Sequence, residues 1–114
     1  MIAVTWEQKD GISIAMLAGR IDGSNADETQ SMLESGIDSE DRALILDFEK
    51  VSYISSAGLR VGLIMAKKFS NPGKQFAICT LSSQVSSVVK LCGFDRVFPV
   101  YDSRDVAINA FENS

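Results

Sequence analysis

The chain has 114 residues, of which 46% are hydrophobic and 23% are charged, so we expect one globular domain over residues 1–114. The net charge of −4 and the scattered Lys and Arg residues disfavour nucleic acid as a direct partner, because phosphate binding needs clustered cations. No apolar run approaches the roughly 20 residues that span a bilayer, and MIAVTWEQKD lacks a basic region before an apolar one, so we expect a cytoplasmic protein without a membrane partner.

The N-terminal region predicts a β-hairpin followed by a helix. Apolar residues alternate with polar or small ones in two runs, around the turn dipeptide Asp10-Gly11: Ile2, Val4 and Trp6, then Ile12, Ile14 and Met16. After these strands, Ser24 is predicted to cap a helix with Asp27 and Glu28 in its first turn. One face of this helix carries residues at three- and four-residue spacing: Ala26, Thr29, Met32, Leu33, Gly36 and Ile37.

The central region predicts a buried strand, a buried helix and another buried strand. ALILDF (43–48) is short and continuously apolar, as is typical of a strand covered on both faces. Residues from Ser56 to Phe69 form a predicted helix that is apolar nearly all round, with Leu63 expected in the core. Asn71-Pro72-Gly73 ends this helix, and QFAICTL (75–81) supplies the next strand.

The C-terminal region predicts two further helices around a short edge strand. Ser82 or Ser83 begins a helix whose buried face contains Val85, Val88, Val89 and Cys92. VFPV (97–100) is predicted to be an edge strand because Pro99 has no N–H to donate, and Ser103–Phe111 is a last helix. We interpret Cys79 and Cys92 as buried structural thiols, since no histidine is present to complete a metal site.

This order of elements predicts an α/β fold. Strands joined through helices pair in parallel, whereas the opening hairpin is antiparallel, so the sheet should be mixed and packed against about four helices. The phosphate-binding motifs GxxxxGK[ST] and GxGxxG and the nucleophile motif GxSxG are missing from the sequence. Asp22, Asp47 and Glu49 are expected near strand ends, where paired carboxylates can serve acid–base chemistry, but such residues are mostly solvated or act as caps.

Ser55 and Ser56 lie between a predicted strand and a buried helix, at the edge where open α/β folds place functional groups. One of the two hydroxyls is expected to be a helix N-cap. The other would lie over the positive end of the helix dipole, which is a favourable place for a phosphate.

Three stretches resemble the STAS family of bacterial anti-sigma factor antagonists: LAGRID (17–22), LILDFEKVSYISSAGLRV (44–61) and LSSQVSSVVKLCGFDRVFPVYDS (81–103). The resemblance spans nearly the whole chain, in the family's order. It implies a single STAS domain. The family's Asp-Ser-Ser/Thr-Gly signature falls on residues 55–58, with Ser55 in place of the aspartate and Ala57 in place of the second hydroxyl.

The resemblance implies a binding protein that is not an enzyme and needs no cofactor. The acceptor of a phosphate would be Ser56, the partner an anti-sigma factor that is itself a serine kinase, and a PP2C-type phosphatase would reverse the reaction. The implied partner-binding residues are Asp22, Ser24, Ser55, Ser56, Gly58 and Arg60, with Gly58 expected to leave the surface unobstructed. Two alternatives remain: a STAS scaffold subunit of a stress-signalling or lipid-transport complex, and a small enzyme using Asp22 and Asp47.

Overall fold

The computed structural model describes residues 2–113, which form five β-strands and four α-helices around one mixed sheet. The strands follow the order β1-β2-β3-β4-β5 across the sheet. Their bounds are Ile2–Lys9 for β1, Ile12–Ile21 for β2, Ala43–Ile54 for β3, Gln75–Cys79 for β4 and Val100–Tyr101 for β5. The predicted mixed α/β fold is therefore confirmed.

The sheet begins with the predicted antiparallel hairpin and continues with parallel pairs. β1 pairs with β2 through a turn in which Asp10 and Gly11 both have positive φ, at 54° and 82°. Such a turn matches the twist of the flanking strands and favours Asp-Gly. The later strands are parallel because a helix or a longer connection joins each to the next.

The helices divide the core into two layers, one on each face of the sheet. The helices are α1 (Ala26–Gly36), α2 (Ser56–Lys68), α3 (Ser83–Leu91) and α4 (Arg104–Glu112). The larger layer contains side chains of α1, α2 and α3, including Leu33, Leu59 and Val89. The smaller layer is covered by α4, through Ala107, Ile108 and Phe111. Within residues 2–113, no helix is long and apolar enough to cross a membrane.

Three strands differ from the sequence prediction at their ends, and one of them, β4, ends at Cys79 instead of Leu81. β3 continues to Ile54, because the segment after Phe48 pairs with the second half of β2 through two register shifts. The predicted strand at residues 97–100 is wrong except for Val100. A 3₁₀ turn at Phe94–Arg96 precedes it, and Pro99 contributes its carbonyl as acceptor for the amide of Ile78 before β5 begins.

Three side chains predicted to be buried are not fully buried, among them Val88, which is half-buried on α3. Cys79 is buried, but Cys92 is exposed because it follows the last residue of α3 and lies beyond the face that packs on the sheet. Leu63 is only half-buried, because the buried face of α2 consists of Gly58, Leu59, Val61, Gly62 and Met65. The outer side of α2 therefore retains apolar surface.

Candidate functional site

The loop after β2 and the loop after β3 lie side by side at the carboxyl edge of the sheet. Ile21 and Ile54, the last residues of these strands, are register partners. The amide of Ser55 donates to the carbonyl of Ile21 at 2.9 Å, which ties the two loops together. Because Asp22 follows Ile21 directly and Ser56 follows Ser55, the predicted acidic residue and the predicted phosphate acceptor belong to one surface. We call it the loop-edge surface: Asp22, Ser24, Ser55, Ser56 and Arg60.

The two serines of the loop-edge surface have different local roles. Ser55 is the N-cap of α2, and its hydroxyl accepts a hydrogen bond from the amide of Gly58 at 3.3 Å. Ser56 is the first residue of α2 and is exposed. Among residues 2–113, no hydrogen bond of the Ser56 hydroxyl is found, and the first turn of α2 carries no acidic residue. Ser56 is therefore a hydroxyl in solvent at the positive end of the helix dipole.

Gly58 is buried, and its role differs from the predicted one. A Cβ atom at this position would lie 2.7 Å from Ile54 Cγ1, 2.8 Å from Ile21 Cγ2 and 3.0 Å from the Ile21 carbonyl oxygen. The missing side chain thus lets α2 approach the ends of β2 and β3. The expectation that Gly58 forms part of an open partner surface is corrected: it faces inward and positions Ser56.

The loop after β2 is held by hydrogen bonds from short polar side chains. The Asp22 carboxylate accepts from both the amide of Ser24, at 2.9 Å, and its hydroxyl, at 2.5 Å. These two bonds lower the pKa of the Asp22 carboxyl below its ordinary value of 3.8. The site therefore keeps a negative charge at neutral pH.

Ser24 is not the cap of α1, which corrects the sequence prediction. Its hydroxyl is already bonded to Asp22, and Asn25 occupies the N-cap position. The Asn25 side chain accepts from the amide of Asp22 at 3.0 Å and donates to the carbonyl of Arg20 at 2.8 Å. Asn25 is the positioning residue that the sequence reasoning missed, although Asn is as favoured at caps and turns as Ser.

Arg60 and Leu63 continue the exposed side of α2 away from Ser56. Arg60 is exposed and lies four residues after Ser56, so the two occupy one side of the helix. No ion-pair partner of Arg60 is found among the described residues. The exposed side of α2 therefore combines a hydroxyl, a free cation and half-buried apolar surface.

The carboxylates considered for acid–base chemistry do not converge. Asp47 and Glu49 lie inside the extended β3, where Asp47 pairs with Met16 and Cys79, rather than at the strand end. Asp22 follows the end of β2, so about 20 Å of strand separates it from Asp47 at roughly 3.3 Å per residue. In residues 2–113, no group of three or more His, Cys, Asp or Glu side chains is arranged to hold a metal ion.

Comparison with known sequences assigns the chain to a protein family. The sequence model of the STAS domain matches residues 3–107. A protein of Bordetella bronchiseptica named as an anti-sigma factor antagonist, BtrV, is 36% identical over 111 residues, covering 97% of this chain and 96% of that protein. An anti-sigma F factor antagonist of Paenibacillus polymyxa is 22% identical over 112 residues, with 97% and 96% of the two chains covered.

Solved structures share the fold. An anti-sigma factor antagonist from Mycobacterium paratuberculosis superposes with a TM-score of 0.88 at 24% identity, covering 98% of this chain and 95% of that one. SpoIIAA in its unphosphorylated form gives 0.71 at 16% identity, with 98% and 100% covered. The murine anion transporter Slc26a9 gives 0.79 at 18% identity, but the match covers 95% of this chain and 19% of the transporter.

Proposed function

Because the chain belongs to the STAS domain family, we propose that it is an anti-sigma factor antagonist that binds an anti-sigma factor serine kinase and thereby releases a sigma factor. The kinase phosphorylates Ser56, and the phosphorylated protein no longer binds. A PP2C-type phosphatase restores the binding form. The exchange takes place in the bacterial cytoplasm, and the protein acts as partner and substrate rather than as an enzyme.

The different local roles of Ser55 and Ser56 are the observation that supports this proposal. Ser55 caps α2, so the Ser56 hydroxyl is free of a structural role and exposed. A kinase can bind the chain around an exposed helix start without unfolding it. The positive end of the α2 dipole also favours the negative charge that phosphorylation adds.

The loop-edge surface and the neighbouring outer side of α2 supply the contacts for the unphosphorylated form. Asp22 is ionised and Arg60 is a cation without an ion pair in the described residues, so both can pair with charges on the kinase. Leu63 and Ile64 are half-buried on α2 and add apolar contact area. Charged groups at the rim of an interface set its specificity and association rate, whereas apolar contacts contribute much of the affinity.

Charge explains how phosphorylation would separate the partners. A phosphoserine carries about −1.5 to −2 charges at neutral pH. Two unit charges about 6 Å apart repel by about 3 kcal/mol at an effective dielectric constant near 20. About 1.4 kcal/mol changes affinity tenfold, so a fraction of this repulsion between the phosphate and acidic groups of the kinase weakens binding strongly.

The test is phosphorylation by the cognate kinase with ATP, followed by mass spectrometry. We expect phosphate on Ser56 in the unchanged protein and in Ser55→Ala, and none in Ser56→Ala. Ser55→Ala is the matched control, because it removes the neighbouring hydroxyl and should cost only about 1 kcal/mol of stability through the lost cap.

Binding is measured on the same variants. Ser56→Ala should bind the kinase as the unchanged protein does, and Ser56→Asp should bind at least about tenfold more weakly while keeping its fold, since a carboxylate is favourable at a helix start. Phosphate on Ser55, or no phosphate with a kinase that binds the protein, would contradict the switch. The latter result would favour the scaffold alternative, in which both hydroxyls serve the helix start alone.

A further inference from the structure

A cleft of about 250 Å³ lies on the α4 side of the sheet, where β1, β2 and β3 extend beyond the cover of α4. The loop-edge surface contributes none of the residues that line it. We call it the α4-side cleft and define it by Ala3, Thr5, Met16, Ala18, Asp47 and Arg104.

The base of the α4-side cleft contains a largely buried carboxylate, Asp47, that forms an ion pair with Arg104. Asp47 is 3% exposed, and its Oδ1 accepts from the amide of Glu49 at 3.0 Å. Its Oδ2 lies 3.8 Å from Nε of Arg104, which is too long for a hydrogen bond. None of the hydrogen bonds found within residues 2–113 reaches Oδ2. Among residues 2–113, no fully buried side-chain oxygen or nitrogen lacks a hydrogen-bond partner, so Oδ2 is open to the cleft, where a donor from a ligand can reach it.

Arg104 offers the complementary group. Its Nη1 donates to Oε1 of Glu7 at 2.8 Å and lies 3.2 Å from the sulfur of Met16. A guanidinium carries five N–H donors, and the hydrogen bonds found in the described part of the chain use only Nη1. Donors for an anionic group therefore remain within a few ångströms of the acceptor on Asp47.

From this juxtaposition, we propose that the α4-side cleft binds a free α-amino acid with an apolar side chain. The ammonium and carboxylate of an α-amino acid are attached to the same carbon and therefore lie close together. They can bind side by side to Asp47 and Arg104, which are also close together. The ammonium donates to Asp47 Oδ2, and the carboxylate accepts from Arg104. The side chain lies against Ala3, Met16 and Ala18.

Charge and size favour this class over others. Glu49 and Lys50 also line the cleft, so acids and bases are balanced there, and an anion or a cation alone would meet a like charge. The cleft volume of about 250 Å³ is below the roughly 300–1,000 Å³ typical of pockets for drug-sized ligands, which favours a small ligand. The proposal goes beyond the partner-switching function, which does not depend on it.

The experiment is an NMR titration of the ¹⁵N-labelled protein with L-leucine. We expect saturable shifts of the amides of Thr5, Met16, Ala18 and Asp47, with a dissociation constant in the millimolar range or tighter. Isocaproate lacks the ammonium group and isoamylamine lacks the carboxylate, and each should bind at least about tenfold more weakly, since a charge-assisted hydrogen bond is lost. Unsaturated shifts at tens of millimolar L-leucine, or equal binding of the truncated compounds, would overturn the proposal.

Variants of the protein test whether L-leucine binds in the α4-side cleft or elsewhere on the protein. Asp47→Asn should weaken L-leucine binding at least about tenfold, whereas Asp102→Asn, at an exposed acid outside the cleft, should leave it unchanged. Ala3→Phe fills the cleft from an exposed strand position without removing a charge, so it should keep the spectrum of the folded protein and abolish binding. Unchanged binding by Ala3→Phe would show that the ligand lies elsewhere and would also overturn the proposal.

Discussion

Hydrogen bonds from Ser24 lower the pKa of the Asp22 carboxyl on the loop-edge surface. Ser24 donates twice to Asp22, so Ser24→Ala removes the hydroxyl bond and should raise the pKa of Asp22 toward 3.8. Because the folded pKa is lowered, the associated stability is present above 3.8 and is lost as the pH falls through the lower folded value. NMR titration of the Asp22 carboxyl carbon measures the shift. Ser31→Ala, at an exposed position of α1, is the control, and equal pKa values in all three proteins would contradict the hydrogen-bond explanation.

The two thiols should react at very different rates. Burial raises the pKa of Cys79 to about 11, whereas Cys92 is exposed. The thiolate is the reactive form, so a thiol reagent should label one site quickly in the folded protein and the second only on unfolding. The reaction is followed by the absorbance of the group that the reagent releases. Cys92→Ser should remove the fast phase of this signal. Fast labelling in Cys92→Ser would show that Cys79 is accessible.

At the scale of the elements, two glycines of α2 make a matched pair. A Cβ at Gly58 meets Ile21 and Ile54 at under 3 Å and the backbone of β2 at 3.0 Å, whereas one at Gly62 meets only Ile78, at 3.7 Å. Gly58→Ala should therefore destabilise the protein by about 1–3 kcal/mol through overpacking. Gly62→Ala should be neutral or stabilise by about 0.5–1 kcal/mol, because alanine is the better helix former.

Urea denaturation measures both glycine variants. If Gly58→Ala were as stable as Gly62→Ala, the close approach of α2 to the ends of β2 and β3 would be wrong. That approach also places Ser56, so Gly58→Ala should slow phosphorylation by the cognate kinase even where the protein remains folded.

For the whole molecule, the layered core distinguishes two leucines of one helix. Leu59 is 1% exposed within the larger layer, and Leu63 is half-buried on the outer side of α2. Leu59→Ala should cost about 2–5 kcal/mol as a core truncation. Leu63→Ala should cost under about 1 kcal/mol and weaken kinase binding instead. Denaturation midpoints and binding affinities check this pair. A large loss of stability in Leu63→Ala with unchanged kinase binding would contradict this assignment. It would show that Leu63 belongs to the core, as the sequence pattern predicted.

The identity and order of nearly every element were determined by the sequence alone. Alternation around Asp10-Gly11 predicted the hairpin, and continuous apolar runs predicted β3 and β4. The N-caps Ser82 and Ser103 lie within one residue of the predicted helix starts. These features depend on neighbours in the chain, and turn chemistry, capping and periodicity are local properties. Capping preference is also a local property, and it predicted one cap and one free hydroxyl at Ser55-Ser56.

The tertiary structure decided the features that depend on residues distant in the chain. The second half of β3 is a strand only because β2 offers it partners, and Gly58 is required only because Ile21 and Ile54 lie beneath it. Ser24 is not the cap because α1 begins one residue later than predicted, with Asn25 as N-cap, and the loop turns the Ser24 hydroxyl toward Asp22. Strand pairing, close packing and competition between hydrogen-bond acceptors are settled by contacts across the fold, so periodicity within one segment carries no information about them.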